Sequence, residues 1–166
     1  MNKLIFVIGL PLLFIFGCAC DNPSPIHLSF GLNSYSTIDE IKKLVATKGG
    51  SWEVVEHNTI GPGDSTIKHG FFKVSATKLT TDFDGKLQLM FFNNQLAEIW
   101  GYPNDWNAYK GEMEKKYKDK FFIGYEKTTE DRLVVRVYKD YKKEIYVAWE
   151  DKCLIELQNS WISKYA

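Results

Sequence analysis

The sequence predicts an α+β fold: a duplicated helix plus antiparallel β-meander, with the helices packed on one face of the sheet. Three observations carry that expectation. A capped, amphipathic helix pattern starts after Thr37 and a second starts after Asn104. Each is followed by short segments rich in β-branched and aromatic residues. The two halves also line up at their last hairpins, 85–99 with 143–157, each placing a polar turn ahead of a short aliphatic strand.

The elements follow in order. Residues 21–25 carry two prolines and read as an extended linker. Thr37 caps the first helix and Glu40 completes a capping box. Ile38, Ile41, Leu44 and Val45 then form one apolar stripe, and Lys48-Gly49-Gly50 stops the helix. Strands are expected at 52–57, 70–79 and 86–92, with a tight Asn93-Asn94 turn into 95–102. Asn104 or Asp105 caps a second helix whose apolar positions are Trp106, Tyr109, Met113 and Tyr117. Strands are expected again at 121–126, 133–140, 143–150 and 153–161. Along the strands Leu87, Leu89, Phe91, Ile145, Val147 and Trp149 alternate with a mixed set that includes Lys86, Gln88, Arg136 and Tyr146. One sheet face therefore meets the helices, and the other is left open to a partner.

The N-terminus carries an address. Met1-Asn2-Lys3 is a short basic start, Leu4 to Phe16 is uncharged, and Gly17-Cys18-Ala19-Cys20 follows. The uncharged run is shorter than the roughly 20 residues a bilayer demands, and Pro11 lies within it, which fits an export signal rather than a permanent anchor. Ile15-Phe16-Gly17-Cys18 resembles the lipobox of bacterial lipoproteins, with Phe16 bulkier than the small residue usual at its position. The resemblance implies cleavage before Cys18 and acylation of its thiol, with palmitate among the acyl chains such proteins carry. Cys20 remains the alternative acceptor. It further implies a domain tethered in the cell envelope facing the periplasm. Ala19 after the cysteine points to the outer membrane, whereas Asp21 after Cys20 would reverse that. Two or more acyl chains, at about 0.8 kcal/mol per buried methylene, hold a small protein stably on a membrane.

The expected organisation is a signal over 1–17, a tether over 18–25, and helix-meander units over 26–103 and 104–166 that form one compact body. The chain has 21 basic and 21 acidic residues. Such balance argues against nucleic acid as a partner. Aromatic residues make up 15% of the chain, enough for both a sheet core and a recognition surface. Cys153 is read as a buried, inert thiol. A Cys20–Cys153 disulfide is formally possible, but it is not the expected state, because Cys20 lies on the tether.

No reaction chemistry stands out. His57 and His69 flank the loop 58–68 and, with Asp64, could meet a metal only if that loop closes; no HxH or HExxH spacing is present. Gly61-Pro62-Gly63-Asp64-Ser65 lacks the lysine of a phosphate loop, no GxSxG elbow occurs, and Asp82 and Asp84 read as turn residues. Neither a catalytic residue, a metal, a cofactor nor a small-molecule substrate is expected. Trp100, Tyr102 and Trp106 cluster at the join of the two halves, either filling it or anchoring a partner. Gly61 and Asp64 mark a long loop as a second candidate for protein binding.

The helix-meander pattern over 31–161 resembles that of tandem β-lactamase inhibitory proteins and of the small BamE-type lipoproteins of outer-membrane assembly. That resemblance implies a protein that presents a sheet surface to another protein. It supplies the two expected functions: an inhibitor or toxin-immunity protein, or a structural accessory of envelope assembly. A hydrolase with a dispersed site ranks third.

Overall fold

The computed structural model describes residues 20, 23–59, 70–76, 79 and 83–165. A small hairpin, β1 (His27–Ser29) and β2 (Leu32–Asn33), precedes α1 (Ile38–Thr47). The first meander is β3 (Trp52–Thr59), β4 (Gly70–Ala76), β5 (Gly85–Phe92) and β6 (Gln95–Pro103). After α2 (Trp106–Tyr117) come β7 (Glu126–Thr128), β8 (Leu133–Lys139), β9 (Ile145–Asp151) and α3 (Lys152–Tyr165). The strands form one antiparallel sheet in the order β3-β4-β5-β6-β9-β8-β7. The last strands of the two meanders therefore pair at the centre, Trp100 opposite Ala148 and Ile99 opposite Trp149. Helix-then-meander occurs twice in the element order, with four strands and then three.

Local chemistry sets the boundaries. Thr37 Oγ1 accepts from the Glu40 amide at 3.3 Å while Glu40 Oε2 accepts from the Thr37 amide at 2.8 Å, a closed capping box. Gly49, at φ +66°, ends the helix, and the Gly50 amide donates back to the Val45 carbonyl at 3.0 Å. Asn93 and Asn94 both adopt positive φ, 51° and 61°, as a two-residue hairpin turn of the right hand requires. Asp105 Oδ1 accepts from the Ala108 amide at 3.0 Å and caps α2.

The main core lies between one face of the sheet and the first two helices. Leu87, Leu89, Phe91, Ile99, Val135, Val147 and Trp149 meet Ile41 and Val45 of α1 and Met113 of α2. A fully buried side chain of this size contributes about 1.5–3 kcal/mol.

Three expectations are corrected. Residues 153–161, expected as a strand, form α3. Leu154 and Trp161, seven residues apart on this helix, pack on Phe92 and Ala97. Phe92 alternates with the core residue Phe91, so α3 covers part of the second sheet face. The aligned segments 85–99 and 143–157 accordingly differ: the first is the β5–β6 hairpin, and the second runs from β9 into a helix. Of the strand expected at 121–126 only Glu126 belongs to β7, although Gly124 and Tyr125 already share backbone hydrogen bonds with Val137 of β8. Finally, Cys153 is not a thiol: it forms a disulfide with Cys20, with the Cα atoms 5.4 Å apart. Cys153 is buried in the first turn of α3, and the bond joins that turn to Cys20.

Candidate functional site

Where α3 does not reach, the second sheet face presents a row of rings. Its strands are β5, β6, β9 and β8, and its residues are the mixed alternate set of the sequence. Tyr146 lies at the centre, with its ring centroid 5.0 Å from Trp100, 5.0 Å from Tyr102 and 5.6 Å from Tyr138. The small Ala148 opposite Trp100 leaves the indole room to lean onto Tyr146. Trp100, Tyr102 and Tyr146 are half-buried, while Tyr138 and Tyr141 are exposed.

Beside the rings lies a buried acid pair. Glu98 and Glu150 are cross-strand neighbours on β6 and β9. Glu98 Oε2 accepts from Trp100 Nε1 at 2.7 Å, and Arg136 Nη1 donates to Glu150 Oε2 at 2.6 Å. Arg136 Nε also donates to Glu126 Oε2 at 2.9 Å. Burial first, and then the neighbouring Glu98, pushes the Glu150 carboxyl up to about 7 despite Arg136. Burial raises Glu98 as well, against the pull of its Trp100 hydrogen bond and of Arg136. Each acid is thus held by a partner on the sheet.

Next to this pair is a cleft of about 380 Å³ whose lining includes Gln88, Trp100, Tyr102, Asp140, Glu144 and Tyr146. Gln88 is 8% exposed, and its Oε1 has no hydrogen-bond partner among the described residues. Burial raises the Tyr102 hydroxyl, and Tyr146, Asp140 and Glu144 raise it further. The Tyr146 hydroxyl is pushed up to about 12 by burial, then by Tyr138, Glu98, Glu150 and Asp140.

Of the residues singled out from sequence, Trp100 and Tyr102 lie together on this face. Trp106 does not join them: it packs against the main core on the side of α1 and α2. Cys18, Gly61 and Asp64 lie outside the described residues, as do His69 and the loop between it and β3. Tyr138, Tyr146 and the Glu98–Glu150 pair went unrecognised as site residues. Their signal was present in the alternation of β6, β8 and β9, but joining them needed the β6–β9 pairing, which brings together residues about fifty positions apart.

Among the described residues no group of three metal-ligating side chains converges, and no helix is long and apolar enough to cross a membrane. No protein-family model, curated protein or solved structure matches this chain.

Proposed function

We propose that the chain is a non-enzymatic, lipid-tethered protein of the cell envelope, at the outer membrane, that binds another protein through the open face of its sheet. The observation that carries this reading is the ring row of Trp100, Tyr102, Tyr146 and Tyr138 on the face opposite the main core. Large rigid rings bury much area at low entropic cost, and Trp and Tyr dominate binding hot spots. Export is supported by the Cys20–Cys153 disulfide, since such bonds persist in oxidising compartments. The same bond favours Cys18 as the acylated residue, because the Cys20 sulfur is already engaged. An inhibitor or toxin-immunity role suits a small domain with one ringed face. The alternative is an accessory of outer-membrane assembly, which would use the same face on resident machinery.

The test is site-specific crosslinking in intact cells from a photoreactive residue at position 138, followed by identification of the adduct. A delivered or secreted enzyme as adduct supports the first role, and resident assembly machinery the second. Absence of any adduct at 138, with the same result at 102, overturns binding by this face. Intact mass of the membrane-fraction protein checks acylation, which Cys18→Ser should abolish.

A further inference from the structure

We propose that the cleft beside Tyr102 and Tyr146 receives the guanidinium of one arginine side chain from the bound protein. This deepens the protein-binding reading and rests on it. The cleft joins two features that a cation with several donors would satisfy at once. Its wall is aromatic: the Tyr102 and Tyr146 rings are stacked 5.0 Å apart at 30°, with Trp100 beside them. Its acceptors are the Gln88 Oε1, buried without a partner among the described residues, and the carboxylates of Asp140 and Glu144 in the β8–β9 turn. A native fold rarely leaves a buried amide oxygen unpaired, and a donor supplied by a ligand would answer it.

The two acids of the turn line the cleft on the side of Tyr102, and the two lysines Lys86 and Lys142 balance them in charge. Both acids of the turn act on the Tyr102 hydroxyl in the sense that a negative surrounding produces. Behind the wall, Trp100 donates its indole N–H to Glu98, which holds the indole in place beside the Tyr146 ring. Arginine fits better than lysine: its planar fork stacks on rings while directing several N–H groups at separate acceptors. The protein already makes a weaker version of the contact, since Lys142 Nζ lies 5.7 Å from the centroid of the exposed Tyr141 ring at the rim. Lys86 and Lys142, both exposed at the cleft, are therefore the groups an incoming guanidinium must compete with.

The experiment titrates the oxidised full chain with N-acetyl-arginine amide. It follows the Trp100 indole N–H by NMR, assigned through Trp100→Phe. N-acetyl-lysine amide and methyl glucoside serve as comparators. We expect saturable shifts with the arginine compound at millimolar concentration and at least threefold weaker binding of the lysine compound. No saturation is expected with the sugar. Gln88→Met, which keeps the packing but removes the acceptor, should weaken arginine binding at least threefold; Lys142→Ala should tighten it. Circular dichroism confirms that both variants fold. Absence of saturation with arginine, equal affinity for all three probes, or unchanged affinity in Gln88→Met overturns the proposal. If arginine fails to bind while crosslinking from position 138 still yields an adduct, only the cleft assignment falls. Arginine binding without any adduct upholds the guanidinium site and removes the protein-binding reading.

Discussion

Cys20 and Cys153 are 133 positions apart, and their disulfide ties the segment ahead of β1 to the first turn of α3. A few residues on, Arg132 donates through Nη2 to the Ser24 carbonyl. Closing so long a loop removes freedom chiefly from the unfolded state, and such bonds typically contribute about 2–4 kcal/mol. The paired variant Cys20→Ser/Cys153→Ser should therefore lose that much unfolding free energy, read as a lower denaturant midpoint. Wild type measured with reductant should match it, and an unchanged midpoint in both would contradict this role.

Arg132 supports the same corner from the sheet. Its Nε and Nη2 both donate to Asp151 at 3.1 Å, and the Asp151 side chain is 0% exposed. Asp151 Oδ1 also accepts from the Cys153 amide at 2.9 Å and so caps α3. Removing Arg132 would strand a buried carboxylate, a change that costs about 3–5 kcal/mol. Arg132→Ala should show a loss of that order by chemical denaturation. Arg132→Lys should recover little of it, because a single ammonium cannot bond both oxygens.

This corner also shows why part of the fold was hidden in the sequence. The first helix could be read at Thr37 and Glu40, and the β5–β6 hairpin at Asn93-Asn94, because those signals act within a few residues. At 153–161 the run Cys-Leu-Ile-Glu-Leu suggested a strand, although Leu154 and Trp161 fit a helical repeat. What decides for the helix is the Asp151 cap together with burial of Leu154 and Trp161 against Phe92, some sixty positions away. The candidate site divides in the same manner. Trp100 and Tyr102 could be picked out from composition, but the partners Tyr138 and Tyr146 depend on how β6, β9 and β8 pair.

The buried acids predict how stability varies with pH. In the fold Glu150 titrates at about 7 against an ordinary value of 4.5, so the folded state holds this proton more tightly than the unfolded chain. Its contribution is fully present below about 4.5 and is lost as pH rises towards 7, a change of about 3 kcal/mol. Glu98 is shifted in the same direction. The exposed Glu40 is lowered by its hydrogen bond from the Thr37 backbone, and its opposing contribution fades only at more acidic pH. Urea midpoints should therefore be higher at pH 5 than at pH 8. Glu150→Gln should flatten that difference, and a wild-type midpoint that rises over this interval would refute the sign.

Trp100 and Trp106 separate binding from folding. Trp100 belongs to the ring row of the open face, with Tyr146 5.0 Å away, whereas Trp106 packs against the core shared by α1, α2 and the sheet. Truncating a large aromatic in a packed core costs about 3–5 kcal/mol when it is fully buried, and the half-buried Trp106 should lose somewhat less. Trp106→Ala should thus lower the unfolding midpoint clearly while sparing crosslinking from position 138 in the molecules that remain folded. Tyr102→Ala on the open face should do the reverse, keeping most of the stability and reducing partner capture at least tenfold, as loss of a hot-spot ring does. Thermal unfolding and crosslink yield measured on the same two variants decide the matter. Equal losses of yield from both would place the binding surface somewhere other than the ring row.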